Sequence, residues 1–334
     1  MQHTPEPSRN ARMTTDVGVV VIGRNEGERL KSCLASLAPY ISQTVYVDSG
    51  SSDNSVEHAC EMGAIVVELS GTFTAARARN AGFRALIERW PRISFVQFVD
   101  GDCTLVSSWI NAASKFLSHT PNAALVFGRR RERYPGRSTF NRLCDREWDG
   151  RPGSVLECGG DILVRADLLK QSGGYRDHLI AGEEPELCVR LREMGYTVWR
   201  LDHEMTLHDA DMTRFSQWWR RSVRAGHAFA EVSRLHRNTP TRIWSRNVSR
   251  AVGWGALLPS TALIGALIYP PLLALLVFYP LQIGRIVSRQ NALDRSAWMN
   301  AVFDVLGKFP EFQGISKFYI NDLLQRKQTI IEYK

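Results

Sequence analysis

Five short apolar runs lie between Val17 and Phe127, and each is separated from the next by an amphipathic stretch. The runs are VGVVVI (Val17–Ile22), TVYV (Thr44–Val47), AIVVEL (Ala64–Leu69), ISFVQFV (Ile93–Val99) and AALVF (Ala123–Phe127). The first, third and fourth are almost unbroken hydrophobics, the pattern of strands covered on both faces. Helical periodicity falls around Glu28–Leu37, Asn54–Met62, Ala75–Arg89 and Ser107–Ser118. Such alternation predicts an α/β fold: an open, mostly parallel, Rossmann-like sheet with right-handed crossovers and helices on both faces. Ligands of these sheets bind beyond the carboxyl ends of the strands, so the loops after Ile22, Val47 and Val99 are where function is expected.

Composition narrows the class of partner. Of 334 residues 44% are hydrophobic and 10% aromatic, which excludes a mostly disordered chain. A mean hydropathy of −0.21 excludes a polytopic membrane protein. The formal net charge of +8 points to a polyanionic partner. Six cysteines are scattered with no C-x-x-C, so neither a zinc ribbon nor a redox motif is suggested. Residues 1–16 are polar, hold two prolines and lack the apolar run of a secretory signal; they read as a flexible leader on a chain that starts in the cytosol with reduced thiols.

The second half is organised differently. From Gly128 to about His208 the pattern is irregular, with a helix expected at Pro185–Met194 and a strand at Thr197–Leu201. A basic helical segment follows over 211–250, in which nine arginines after Asp211 face one acid, Glu231. Then Ala251–Gly284 runs for 34 residues without a charge. As one helix it would extend about 51 Å against a hydrocarbon core of about 30 Å. Pro270-Pro271 interrupts it. Two short helices in a membrane hairpin, or one span with an interfacial piece, fit, and so does a buried soluble hairpin. Arginines flank both ends, which favours a hairpin with both ends cytosolic. The segment 285–334 reads as a helical tail.

Six motifs carry candidate chemistry. Asp100-Gly101-Asp102 follows a strand directly, so two carboxylates at the sheet mouth could bridge a hard cation to a diphosphate. Asp48-Ser49-Gly50-Ser51-Ser52-Asp53 is a small-residue turn after another strand, with Ser52 a possible cap for the next helix. Gly23-Arg24-Asn25-Glu26 and Ala78-Arg79-Asn80-Ala81-Gly82 sit at the same edge. Gly182-Glu183-Glu184 opens a helix, where acids are commonplace unless one is aimed into a cleft as a general base. His208 in LHDAD is the sixth. The basic run Arg129–Arg133 reads either as a grip for an acceptor's phosphate or as a solvated charged loop.

In that order the six resemble the family 2 glycosyltransferases, which have the GT-A fold, over roughly Val17–Gly226. VVIGRNEGERLKSCLASL looks like the family's opening strand and helix. YVDSGSSDNS looks like its nucleotide-binding turn, ARNAG like its A-R-N-x-G helix, FVDGDC like its D-x-D, and GEEPELCVRLREMGY like its acidic motif. The resemblance implies a catalytic domain over 17–210, divided into a nucleotide-binding half (17–127) and an acceptor half (128–210). It further implies that Asp48 binds the uracil edge, that Glu26 and Arg79 help hold the nucleotide, and that Asp100 contacts ribose or metal. Asp102 and His208 would hold Mn²⁺ or Mg²⁺. Glu184 would be the base with Glu183 as the preceding acid, a departure from the family's usual aspartate. Gly159-Gly160-Asp161 resembles the donor-sugar loop. Gln217-Trp218-Trp219-Arg220-Arg221 partly resembles the Q-x-x-R-W motif of polysaccharide synthases, which would give Gln217 and Arg220 a place at the donor; tryptophans seating a helix at a membrane interface are the alternative.

The implied activity is inverting sugar transfer from a nucleotide donor, a UDP-sugar, to a lipid-linked or polysaccharide acceptor at the cytoplasmic face of a bacterial-type inner membrane. A nucleotidyltransferase would need a glycine-rich, lysine-bearing loop that GRNEGERL does not supply. A silent docking scaffold would not need an intact D-x-D. No nucleic-acid module is recognisable.

Overall fold

The structure is a computed structural model and describes residues 16–289 and 294–326. The leader 1–15 and part of the tail, 290–293 and 327–334, lie outside the described residues. The chain forms two compact units. One ends at Leu179 and resumes over Glu183–Asp211; the other comprises Ile180–Gly182 and the chain from Met212 on.

The first unit is built on a nine-stranded mixed sheet. Its strands are β1 (Val17–Gly23), β2 (Thr44–Asp48), β3 (Ile65–Glu68), β4 (Phe95–Asp100), β5 (Cys103–Leu105), β6 (Ala123–Glu132), β7 (Gly153–Val155), β8 (Ile162–Arg165) and β9 (Thr197–His208). Their order is β3-β2-β1-β4-β8-β6-β9-β5, with β7 on β9. The parallel sheet expected from the alternating pattern is realised in β3-β2-β1-β4. Beyond β4 the sheet turns antiparallel through β8, and only β6 with β9 is parallel again. Helices α1 (Glu28–Ser36), α2 (Ser55–Glu61), α3 (Ala75–Arg89) and α4 (Trp109–His119) make the crossovers. Shorter α5 (Thr139–Glu147) and α6 (Ala166–Gln171) follow, then α7 (Glu183–Glu193).

Unbroken apolar strands have their reason in the two faces. In β1, Val20 enters the cluster with Phe83 and Leu86 of α3, while Val19 and Val21 enter the opposite one with Leu30, Leu34 and Trp109. Side chains alternate with period two, so a strand covered on both faces must be apolar throughout. The one buried polar residue in β4, Gln97, is satisfied: its Oε1 accepts from Trp109 Nε1 at 2.8 Å and its Nε2 donates to the Phe98 carbonyl at 2.7 Å. Register then sets the site. Gly23 pairs with Asp48 and Ile22 with Asp100, so three loops emerge side by side.

The second unit is helical. Its long helix α8 (Phe215–Leu235) is followed by α9 (Ser245–Val252), α10 (Leu258–Gly265), α11 (Phe278–Ser288), α12 (Arg295–Leu306) and α13 (Lys308–Leu323). The basic segment is therefore two helices, broken around the left-handed residues Arg242 and Trp244. Helix α13 lies against α8 at glycine contacts: a Cβ on Gly226 or on Gly314 would stand 2.0 Å from a backbone carbonyl oxygen of the other helix. Ala230 of α8, Ala251 of α9, and Ile315 and Phe318 of α13 form one core cluster.

Candidate active site

Arg79 is the hub of the first unit's cleft. It projects from α3, is only 3% exposed, and reaches across the ends of the strands. One terminal nitrogen donates to Asp100 Oδ1 at 2.9 Å; the other lies 2.8 Å from both Glu183 Oε1 and Glu184 Oε1. These partners are 21 and 104 residues away in the sequence for the two printed hydrogen bonds, so only the fold assembles them. Gly160 makes room for the arrangement, since a Cβ there would meet Arg79 at 2.7 Å and Asp100 at 2.9 Å. Asn80, next to Arg79, faces the other way and braces a loop, exchanging bonds with the Tyr175 backbone and donating to Asp177 at 2.7 Å.

A second buried arginine completes the cluster. Arg130 donates through Nε to Asp161 Oδ2 and through a terminal nitrogen to Asp100 Oδ2, both at 2.9 Å. Asp161 also accepts from the Asp100 backbone N–H at 3.0 Å and from Thr206 Oγ1 at 2.7 Å. Residues 129–132 of the basic run thus lie in strand β6 and not in a solvated loop, and Arg130 is spent on two carboxylates rather than left for an acceptor's phosphate. Two guanidiniums occupy both oxygens of Asp100, where a metal or ribose contact had been expected. Burial acts to raise the Asp100 pKa, but Arg79 and Arg130 together hold it well below the usual carboxylate range.

The metal-type residues gather one step further along the edge. Antiparallel pairing sets Cys103 of β5 opposite His208 of β9, while β6 sets Glu132 opposite the same histidine. His208 Nε2 stands 3.3 Å from Asp102 Oδ2, and His208 Nδ1 stands 3.5 Å from Glu132 Oε2. Burial lowers the His208 pKa, which keeps the ring neutral and fit to ligate. With Nδ1 turned to Glu132, Nε2 is the atom offered beside Asp102, the usual arrangement around a metal-bound histidine. One carboxylate oxygen and one imidazole nitrogen suit Mn²⁺ or Mg²⁺ when diphosphate oxygens complete the shell. Cys103 lies within the same group, but burial raises its thiol pKa far enough to keep it protonated. A second group joins Asp100, Cys103 and Asp161. Asp100 does not join Asp102 and His208, and among the described residues Glu184 belongs to neither group.

At the nucleotide side, Asp48 fills both oxygens with its own surroundings. Oδ1 accepts from Tyr46 OH at 3.0 Å and from Ser51 Oγ, and Oδ2 accepts from the backbone N–H groups of Gly50 and Ser51 at 2.9 and 2.8 Å. A carboxylate offers about four acceptor positions, and all are taken. Asp48 therefore shapes the turn that was expected to meet the nucleotide. Asn25 locks that turn to the first loop, accepting from Ser52 N at 2.7 Å while its own N–H donates to Ser51 Oγ at 2.9 Å. Ser52 is engaged there and does not cap α2, whose N-cap is Asn54. Glu26 is half-buried and pairs with Arg29 at 2.9 Å.

The acidic helix α7 begins at Glu183, two residues before the expected start at Pro185, so both acids lie in its first turn. Glu184 is 6% exposed. Burial, aided by Glu183 and Asp100, outweighs Arg79 and pushes its pKa up to about 8. Gln217 and Arg220 belong to the second unit. Gln217 accepts from the N–H groups of Thr213 and Arg214 and so caps α8, and Arg220 is exposed with Nε on the Ser216 carbonyl at 3.4 Å. Trp218 is buried against Phe303, and Trp219 donates to Gln313 at 2.8 Å. Of the residues that matter most in the cleft, Arg130 and Glu132 were not singled out for these roles. The alternation of side chains along a strand through the run Arg129–Arg133 was the available signal, because it sends Arg130 and Glu132 to the same face.

Comparison with known proteins agrees with this geometry. The model for "Glycosyl transferase family 2" matches residues 18–161. The pre-mycofactocin glycosyltransferase of Mycobacterium tuberculosis is 28% identical over 242 residues, covering 66% of this chain and 48% of that protein. The chain thus spans about half the length of that relative. Glycosyltransferase AglE of Haloferax volcanii is 24% identical over 261 residues, covering 71% of this chain and 81% of AglE. Among solved structures, the mannosyltransferase PcManGT of Pyrobaculum calidifontis, in complex with GDP-Man and Mn²⁺, superposes with a TM-score of 0.51 at 16% identity, covering 93% and 86% of the two chains. S. aureus TarS 1–349 gives a TM-score of 0.50 at 14% identity, with 92% of each chain covered. Residues 18–161 are thus similar to glycosyl transferase family 2, and the fold is of the GT-A type.

Proposed function

We propose that the protein transfers a sugar from a nucleotide diphosphate donor, a UDP-sugar, to a hydroxyl of a lipid-linked or saccharide acceptor, with inversion at the anomeric carbon. One observation carries this reading: the Arg79 guanidinium joins Asp100 of the D-x-D to Glu183 and Glu184 at the head of α7, within 2.9 Å on every side. A donor-binding carboxylate and a buried acid that can act as base are thereby fixed to one rigid point, which is what a single-displacement transfer needs.

Glu184 takes the proton from the acceptor hydroxyl as that oxygen bonds to the anomeric carbon and the bond to the diphosphate breaks. Its burial keeps the carboxyl poorly solvated and therefore basic. Glu183 and Arg79 hold the helix end in place. Asp161, clamped by Arg130 and Thr206, fixes the loop that follows Gly160 against the Asp100 backbone. Asp102 and His208 would hold Mn²⁺ or Mg²⁺, which when bound supplies positive charge where negative charge develops on the leaving diphosphate. Glu132 keeps His208 turned for that task.

The PcManGT structure, which holds GDP-Man and Mn²⁺, supports by its shared fold a nucleotide-diphosphate-sugar donor and a divalent metal, though not the choice of UDP. The apolar stretch before the tail supports an acceptor at a membrane surface, on the cytoplasmic side. UDP release with and without Mn²⁺ tests the assignment. Asp102→Ala and Glu184→Gln should each lower turnover by about 10²–10⁴-fold. Turnover left intact in either variant removes that residue from the mechanism. A nucleotidyltransferase would release pyrophosphate in the same assay, and a silent scaffold would release neither product.

A further inference from the structure

The charge-free stretch of the second unit is folded back on itself and uncovered. Helix α10 runs to Gly265, the chain reverses over 266–269, and a 3₁₀ stretch (Pro270–Val277) returns into α11. The reversal is hydrogen-bonded: Ile268 N and Tyr269 N both donate to the Gly265 carbonyl, at 3.0 and 2.8 Å. Gly265 lets the arms close, since a Cβ there would stand 2.5 Å from Leu272. At the base the Tyr279 hydroxyl donates to the Trp254 carbonyl at 2.7 Å, and Gly255 sits against the Lys308 carbonyl at the start of α13. The base is thus part of the unit's core, and the arms are not. Leu267 and Ile268 at the tip are 85% and 89% exposed, and Leu263, Ile264, Leu273 and Leu281 are about half exposed or more. The continuous helical stretch Pro270–Ser288 has mean hydropathy 1.5 and is 6% buried, unlike the core helix of a soluble domain.

We propose that this hairpin inserts into one leaflet of an anionic bilayer and returns to the same side without crossing it. Length decides between insertion and crossing. The helices continue past the base, but measured from that base, where Tyr279 bonds to Trp254, residues 255–265 rise about 16 Å and residues 270–278 about 17 Å. Those reaches match half of a hydrocarbon core of about 30 Å, not the whole. Every arm residue lies in a helix or a hydrogen-bonded turn, so the backbone can enter hydrocarbon without unpaired groups. Charge names the lipid. Arg246 and Arg250 lie four apart on one face of α9, and Arg285 and Arg289 end the other arm. Guanidiniums at both feet of one hairpin meet one layer of phosphate headgroups, each contributing attraction toward anionic lipid.

The inference specifies the membrane surface of the proposed transfer. Its test needs no turnover, so it can fail or succeed independently of the enzymatic reading. The full chain is floated with vesicles of phosphatidylcholine alone or with added phosphatidylglycerol. Binding should be at least tenfold stronger to the anionic vesicles. Replacing Leu267→Glu together with Ile268→Glu should cut it at least tenfold, with circular dichroism unchanged because both side chains are exposed. Arg250→Cys and Arg289→Cys, probed on bound protein with an impermeant maleimide added outside, should both be labelled. Protection of one position means a span and overturns the hairpin. Absence of flotation, or a discrete dimer in sedimentation that the double glutamate variant dissociates, overturns the membrane partner itself.

Discussion

At the scale of single residues, the cleft works by placing acids where burial and arginine compete. Asp100 and Glu184 share Arg79, yet their pKa values move apart: Asp100 has a second guanidinium and stays ionised, whereas Glu184 has only a share of one and is pushed up to about 8. Carboxyls driven apart in this way mark acid–base assignments. A base is active when deprotonated, so below pH 8 the competent fraction falls about tenfold per pH unit. Initial rates of UDP release should therefore climb from pH 6 and level off above about pH 8. A profile already flat at pH 6 would show that Glu184 is not the titrating base.

At the scale of elements, α3 is pressed so closely onto the sheet that one glycine decides the fit. A Cβ at Gly82 would stand 2.4 Å from Val20 and 2.9 Å from Val47, both in the core. Helix propensity alone would make Gly82→Ala stabilising by about 1 kcal/mol. Overpacking a tight core costs about 1–3 kcal/mol, so the net sign should be destabilising. Thermal unfolding should show a midpoint lowered by a few degrees, and a raised midpoint would mean that α3 can shift outward. Elements of this kind were legible because their signals are local. Strand runs, the α3 periodicity and the break at Ala251 are all written in neighbouring residues. The antiparallel excursion through β8 was not, since ILVR is four residues long and its partners are set by β4 and β6. The run Arg129–Arg133 misled for a related reason: its charge reads as solvated unless the opposing acids, 30 and 31 residues away from Arg130, are known.

At the scale of the whole molecule, the motifs announced which residues matter, while their roles came from long-range pairing. Asp48 bonds within its turn; Asp102 and His208 meet, and Glu184 joins Arg79. The same buried groups set how stability depends on pH, and their contributions oppose one another. His208 and Asp100, with lowered pKa values, lose stability as pH falls; Glu184 and Glu231, with raised ones, lose it as pH rises. The sum is expected to be shallow, so a single group must be isolated to be read. Glu231, in α8 of the helical unit, is 6% exposed and 3.5 Å from His227, and burial lifts its pKa from an ordinary 4.5 to about 7. The folded chain then binds more protons than the unfolded chain between those values, and the ionised carboxylate is disfavoured in the core above them. Glutamine reproduces the neutral acid at every pH. Glu231→Gln should accordingly match the parent in thermal midpoint near pH 5 and exceed it at pH 8. Equal gaps at the two pH values would show that Glu231 folds with its charge, neutralised within α8 by a protonated His227.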